Sequence, residues 1–383
     1  MKSPKNMSRR AFLLAAAAGA MCRPALAALA PTPGLGKIAA ERGLLYGSYI
    51  DPWELQQEAD YEAVCAHECA LMVTARMDWD HLQPTPGAHD FTGVDADYDW
   101  ATKNGMQFRG HTLVYGERAP KWYAGLPNRE TAVKALEDHV ALTCQHFAGR
   151  MQSWDVVNEA ISMASPRPDH LRPHVFLDKI GPEYLDIAYH TARANDATAL
   201  LVYNEFGIEM EKPDQLEKRR VLFDLIDGFK KRGTPIDAVG LQSHLFYEDM
   251  RHFDEKAFSR FLDEIAARGL QVMLTELDCV DNGAPSDIAA RDAAIASVYR
   301  RYLDVALANQ AVRTVITWGV SDRMSWIISI GDPRTKRADG LRPRPLPFDA
   351  DDRPKPVYWA MVDALRHAPR HAVAQRASRA RSF

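Results

Sequence analysis

The sequence predicts an α/β fold built as a single parallel (β/α)8 barrel, and three observations carry that prediction. Short aliphatic and β-branched runs recur eight times along the chain. Segments with helical spacing of apolar residues lie between them, and no Pro/Gly/Ser-rich linker divides the chain. Such alternation makes a parallel sheet with helical crossovers, and eight units close on themselves in the TIM-barrel arrangement. An open doubly wound sheet is the structural alternative, but the glycine-rich phosphate turn that favours it is missing after the first run.

Taken in order, residues 1–27 stand apart. Lys2, Lys5, Arg9, Arg10 and Arg23 are the only charged side chains there, and Ser8-Arg9-Arg10-Ala11-Phe12-Leu13-Leu14 leads into the small apolar stretch 15–21. This reads as a twin-arginine export signal ending at Ala25-Leu26-Ala27, its apolar part too short to span a bilayer. The barrel is expected over 28–367, with strands at 44–50, 71–77, 107–114, 153–160, 200–206, 238–245, 271–278 and 314–320. Helices are expected at 52–69, 129–146, 182–195, 213–232, 255–268, 289–308 and 356–367, several with Pro in the first turn, where its missing N–H costs nothing. An insertion at 161–178 follows the fourth strand and is expected to loop over the site. Residues 368–383 are expected to be a frayed basic tail, since Arg366 to Phe383 holds five arginines, two histidines and no acid.

Without the signal and its five positive charges the formal charge of −4 becomes about −9, so nucleic acid is not an expected partner. No later segment is apolar enough to cross a membrane, and the mature chain is expected to be a soluble monomer, periplasmic or secreted. Cys65, Cys69, Cys144 and Cys279 are too few and scattered for a disulfide framework. Cys65 and Cys69 also lack histidines at metal-ligand spacing, so buried free thiols are expected.

Chemistry enters with two glutamates. Glu159 ends the run Trp154-Asp155-Val156-Val157-Asn158-Glu159, and Glu276 lies in Val272-Met273-Leu274-Thr275-Glu276-Leu277-Asp278. Each carboxylate stands where a buried strand runs out, a costly place unless it is paired or used. The C-terminal ends of the fourth and seventh strands of a barrel converge on one pocket, and two carboxylates in one pocket can break a glycosidic bond without metal or organic cofactor. Either glutamate alone could cap a strand or pair with an arginine. Other strand ends carry His111, Asn204, Gln242, His244, Trp318 and Trp326. A lone histidine or tryptophan is usually packing, whereas their joint placement on the barrel's C-terminal face points to a site.

These motifs resemble glycoside hydrolase family 10, the β-1,4-xylanases. The resemblance rests on Trp-Asp-Val-Val-Asn-Glu at 154–159, Gly-Leu-Gln-Ser-His at 240–244, Thr-Glu-Leu-Asp at 275–278 and Trp-Gly-Val-Ser-Asp at 318–322. It implies a barrel enzyme that retains configuration, with Glu159 as acid/base and Glu276 as nucleophile. By the same resemblance Asn158 and His244 lie around the sugar in subsite −1. His111, Gln242, Trp318 and Trp326 line the cleft, and Asn204 faces the leaving-group side. Glu276 must be ionised, with His244 the expected partner holding its pKa down; Glu159 must start protonated, raised by its apolar flank and the Glu276 charge.

The departures cluster on the glycone side, in subsite −2. Family members typically read Glu-Asn-Glu-Met-Lys-Trp where this chain has Thr74-Ala75-Arg76-Met77-Asp78-Trp79, and Trp-His-Ser-Gln where it has Tyr115-Gly116-Glu117-Arg118. Trp79, Tyr115, Arg76 and Arg118 therefore become candidate substrate contacts, and the two guanidiniums suit an acidic or substituted sugar. The alternative is that both arginines point outward or pair with Asp78 and Glu117. The expected activity is endo-acting, retaining hydrolysis of xylan or a related polysaccharide. A different β-glycan, such as a glucan or an acidic exopolysaccharide, is the second reading, and a non-catalytic glycan-binding or polymer-assembly protein the third.

Overall fold

Eight parallel strands pair in chain order and the last returns to the first: β1 (Leu45–Tyr49), β2 (Leu71–Thr74), β3 (Gln107–Gly110), β4 (Ser153–Asn158), β5 (Leu200–Glu205), β6 (Ala238–Leu241), β7 (Gln271–Val280) and β8 (Val312–Thr317). The expected (β/α)8 barrel is therefore the observed one. The computed structural model describes residues 32–372; the expected export signal at 1–27 and tail residues 373–383 lie outside the described residues.

Two of the expected strands break in the middle, and the breaks build the site. The run at 107–114 divides into β3 and a short piece, Val114–Tyr115, that pairs with β4. The run at 238–245 divides into β6 and His244–Phe246, which pairs with β7. In each case polar residues, His111-Thr112 and Gln242-Ser243, interrupt the apolar pattern, and Ser243 takes a positive φ of 62°. The chain is thereby turned at the barrel mouth and presents His111, Gln242 and His244 there.

Inside the barrel lies a small apolar layer of Leu71, Val73, Val202, Ala238, Met273 and Ile316, while a much larger core fills the space between strands and helices. Helices Arg129–His146, Pro213–Arg232 and Pro356–His367 run as the spacing predicts. Asn128 caps the first by accepting from Thr131 N at 2.9 Å, and Pro occupies the first turn of the other two. Four helices were not legible: Leu35–Ala40, the single turn Trp79–Leu82, Thr92–Lys103 and Val175–Ile180. Thr92–Lys103 buries only Val94, Asp97 and Ala101, too thin an apolar face to register as a period. The insertion at 161–178 is not wholly a loop, since the last of these helices closes it and an antiparallel bridge joins Ile161 to Leu171.

Ordered packing also passes the boundary expected at 367. Ala368 and His371 are buried; His371 N donates to Arg42 O at 2.7 Å and its Nε2 lies 3.0 Å from Leu307 O. Composition alone read these residues as solvated, but free carbonyls at the barrel's N-terminal face give the histidine partners. Cys65, Cys69, Cys144 and Cys279 are buried free thiols. Among the described residues no helix is long and apolar enough to cross a membrane.

Candidate active site

Glu159 follows the last residue of β4 with φ at 55°, a left-handed conformation that costs a β-carbon-bearing residue about 1–3 kcal/mol and recurs where function needs it. Two hydrogen bonds hold it: Glu159 N donates to Asn204 O at 2.9 Å, and Arg172 Nε donates to Glu159 O at 2.8 Å. The carboxyl is thus swung over the barrel mouth, its side chain 14% exposed. Gln242 Nε2 donates to Oε1 at 2.9 Å and the Tyr115 hydroxyl to Oε2 at 3.1 Å. Arg172 Nη2 stands 3.6 Å from Oε2. Burial raises the pKa of Glu159 above the ordinary carboxylate range, the Glu205 charge adds to this more than the Glu276 charge does, and Gln242 and Arg172 oppose it.

Glu276 faces the opposite bias. Asn204 Nδ2 donates to its Oε1 at 2.7 Å, and His244 Nε2 lies 3.1 Å from its Oε2. Burial, the largest single influence, pushes its pKa up, but the His244 hydrogen bond, the His111 and His244 charges and the Asn204 bond together bring it below the ordinary value. His244 is itself fixed by Asp278, whose Oδ1 lies 3.0 Å from Nδ1 and whose Oδ2 accepts from Trp326 Nε1 at 2.6 Å. Burial works against the His244 cation, yet Asp278 and Glu276 raise its pKa well above the usual imidazole value. His111 is buried beside Asp155, which lies 2.8 Å from its Nδ1 and also pairs with the buried Arg109. Burial opposes the imidazolium, but this contact with the Glu276, Asp155 and Asp78 charges lifts its pKa to about 9.

One hydrogen-bonded chain joins the two carboxylates. Asn158 Oδ1 accepts from Gln242 Nε2 at 3.3 Å and from Asn204 Nδ2 at 3.0 Å, linking Glu159 through Gln242, Asn158 and Asn204 to Glu276. The Asn158 amide nitrogen in turn donates to Glu159 Oε1 at 3.5 Å. Trp318, half-buried, stacks on Tyr49 with centroids 4.9 Å apart and meets His111 edge-on; Trp326, also half-buried, leans on His244 at 4.8 Å.

Two expected substrate contacts are corrected, and the two candidate arginines are ion-paired. Asn204 does not face a leaving group: it is fully buried beneath the carboxylates, because its strand position points into the barrel, and it positions Asn158 and Glu276. Trp79 is 2% exposed, stacked between His139 and Phe176 at 4.0 and 5.5 Å, with Nε1 donating to Gln83 at 2.8 Å. It is core. Trp79→Ala is therefore expected to cost about 3–5 kcal/mol of stability. Denaturant unfolding would read that loss, while kcat/KM of the folded fraction should hold near the parent value. Arg76 turns to the helix Thr92–Lys103, 3.7 Å from Asp97, which the unread helix supplies. Arg118 pairs with Asp78 at 3.3 Å and Asp80 at 3.8 Å.

Sequence reading missed Arg172, Tyr49, Asp155 and Asp278 as parts of the site. Asp278 was within sight, since it ends the Thr-Glu-Leu-Asp motif; Arg172 was signalled only by its place in an insertion expected over the cleft. Tyr115, expected on the glycone wall, is instead a direct donor to Glu159. Its hydrogen bond favours the ionised carboxyl, so Tyr115→Phe is expected to move the basic limb of the pH–kcat/KM profile to higher pH. A profile unchanged on that limb would show the contact to be without effect on Glu159.

The residues from 34 to 364 match the model of glycosyl hydrolase family 10. The chain belongs to that family. It is 33% identical to endo-1,4-beta-xylanase B of Thermotoga neapolitana, over 82% of this chain and 85% of the relative. It is also 28% identical to exoglucanase XynX of Acetivibrio thermocellus, over 84% of this chain but only 29% of that longer protein. The crystal structure of native xylanase 10B from Thermotoga maritima superposes with a TM-score of 0.78 at 30% identity, covering 87% of this chain and 98% of the other. This family-10 chain is a xylanase-like glycoside hydrolase, acting by the retaining mechanism general to the family.

Proposed function

We propose that this family-10 hydrolase cleaves β-1,4-linked xylan or a related polysaccharide within the chain, with Glu276 as nucleophile and Glu159 as acid/base. The observation that carries the assignment is the opposite electrostatic bias of two carboxylates joined by one hydrogen-bonded chain. Glu276 attacks the anomeric carbon while Glu159 gives its proton to the departing glycosidic oxygen. The bond to the leaving sugar breaks and a glycosyl ester on Glu276 forms. Esterification removes the Glu276 charge, which favours the ionised form of Glu159, now the base that takes a proton from water as water attacks the ester. Asn158 offers its amide to the 2-hydroxyl, and Trp318 and Trp326 offer apolar surface to pyranose faces.

Incubation with xylan, cellulose-type and mixed-linkage glucans, with product sizing and proton NMR of the first-formed anomer, tests this reading. Mid-sized products of β configuration from xylan are expected. Products dominated by glucan-derived sugars would favour the second reading, which the likeness to an exoglucanase supports. Export by the twin-arginine route is proposed on Arg9 and Arg10, with residues 28 onward as the mature, monomeric protein. Replacing both arginines by lysine should leave the enzyme inside the cell, measured by fractionation.

A further inference from the structure

The cleft wall at the ends of β1, β2 and β8 holds a buried acid that the hydrolytic scheme does not use. Asp78 is 4% exposed, and its Oδ1 has no hydrogen-bond partner; at Oδ2 it meets only the looser ion pair with Arg118 Nε at 3.3 Å. Oδ1 of the neighbouring Asp80 is also buried without a partner. Asp78, Asp80 and His81 each bring a ligand atom to within 4.8 Å of the others. Burial pushes the Asp78 carboxyl up to about 6, against the pull of the His111 and Arg118 charges. A buried carboxylate oxygen without a donor is destabilising, and a ligand that supplies the donor recovers that cost on binding.

Position and charge identify the ligand. The leaving group must lie over Glu159, where Tyr115 and Arg172 stand. The sugar chain kept on Glu276 therefore extends the other way, past His111 and the Tyr49–Trp318 stack toward Asp78. Four carboxylates gather around this end, Asp51, Asp78, Asp80 and Asp97, against the guanidiniums of Arg76 and Arg118 and the His111 cation. Of these, Arg76 pairs with Asp97 at 3.7 Å and Arg118 is shared between Asp78 and Asp80. The net field repels an anionic glycone and attracts a cationic one. An ammonium carries three donors, enough to pair with a carboxylate oxygen of each aspartate.

We propose that this end of the cleft receives an amino sugar with a free ammonium, held by Asp78 and Asp80. The inference rests on the assignment of Glu159 and Glu276, which fixes the direction of the chain. It reverses the acidic-sugar expectation that Arg76 and Arg118 raised in the sequence.

Four 4-nitrophenyl disaccharides test it, alike in a β-1,4-linked xylosyl residue next to the nitrophenol and differing in the outer sugar: glucose, glucosamine, N-acetylglucosamine or glucuronic acid. Affinities are measured by calorimetry on the Glu276→Gln variant, and kcat/KM on the parent enzyme. Glucosamine is expected to bind at least about tenfold more tightly than glucose at neutral pH, with glucuronate weakest, a preference worth about 1.4 kcal/mol. Asp78→Asn should erase the preference; should that variant not fold, the more exposed Asp80→Asn should reduce it. Equal affinity for glucose and glucosamine, tightest binding of glucuronate, or a preference untouched by either variant overturns the proposal. Calcium binding at these residues without any amine preference also overturns it. No turnover of any substrate with the affinity order intact would count against the catalytic assignment alone.

Discussion

Glu276→Ala is expected to lower kcat on the polysaccharide by something on the order of 10^4- to 10^6-fold, the scale seen when a nucleophile is removed from a unit that works together. The size follows from what surrounds it. Asn204 and His244 each spend a hydrogen bond on this carboxylate, and His111 adds a second nearby cation, all arranged for a negative charge that the variant lacks. An activated 2-fluoro glycoside should give a covalent adduct by mass spectrometry in the parent and none in the variant. A parent enzyme that labels elsewhere would remove Glu276 from its role. Folding is not expected to fail, although His244 loses one of the two acids that keep it charged.

Glu159→Ala is expected to behave differently according to the leaving group. On xylan or another natural polymer kcat should fall by roughly 10^2- to 10^4-fold, the range of a general acid–base contribution. With an activated aryl glycoside the first step needs little protonation, so the glycosyl ester accumulates, and azide should restore turnover by entering where the missing base left room. The pH profile carries the second signature. Activity requires Glu276 ionised and Glu159 protonated, so kcat/KM falls as acid protonates Glu276, whose pKa is lowered, and falls again as base ionises Glu159, whose pKa is raised. The two limbs belong to the coupled pair. In Glu159→Ala the basic limb should vanish and the acid limb remain; survival of the basic limb would assign it to another group.

The strands were legible because burial on both sides writes near-continuous apolar runs, and the long helices because each buries a wide face. Thr92–Lys103 was hidden because acids and a glycine interrupt its face, and the error carried into the site. Without that helix Asp97 had no address, and Arg76 looked free when it is not. Trp79 shows the same limit: a tryptophan beside a strand end suits a sugar platform or a core, and only the stacking partners His139 and Phe176, remote in sequence, decide which. Asn204 was read from its motif as facing the leaving-group side, whereas its strand position turns it inward.

The linear chain determined the barrel, the two acids and the face on which they meet, because strand periodicity and the cost of a carboxylate at a buried strand end are local quantities. The family motifs implied which acid would hold a proton, and tertiary structure alone supplied the full set of groups that bias it. They are Glu205, Arg172 and Tyr115 around one carboxyl and His244, His111 and Asn204 around the other, drawn from separate strands and loops. Electrostatic energy follows distance through space, and sequence separation does not report it.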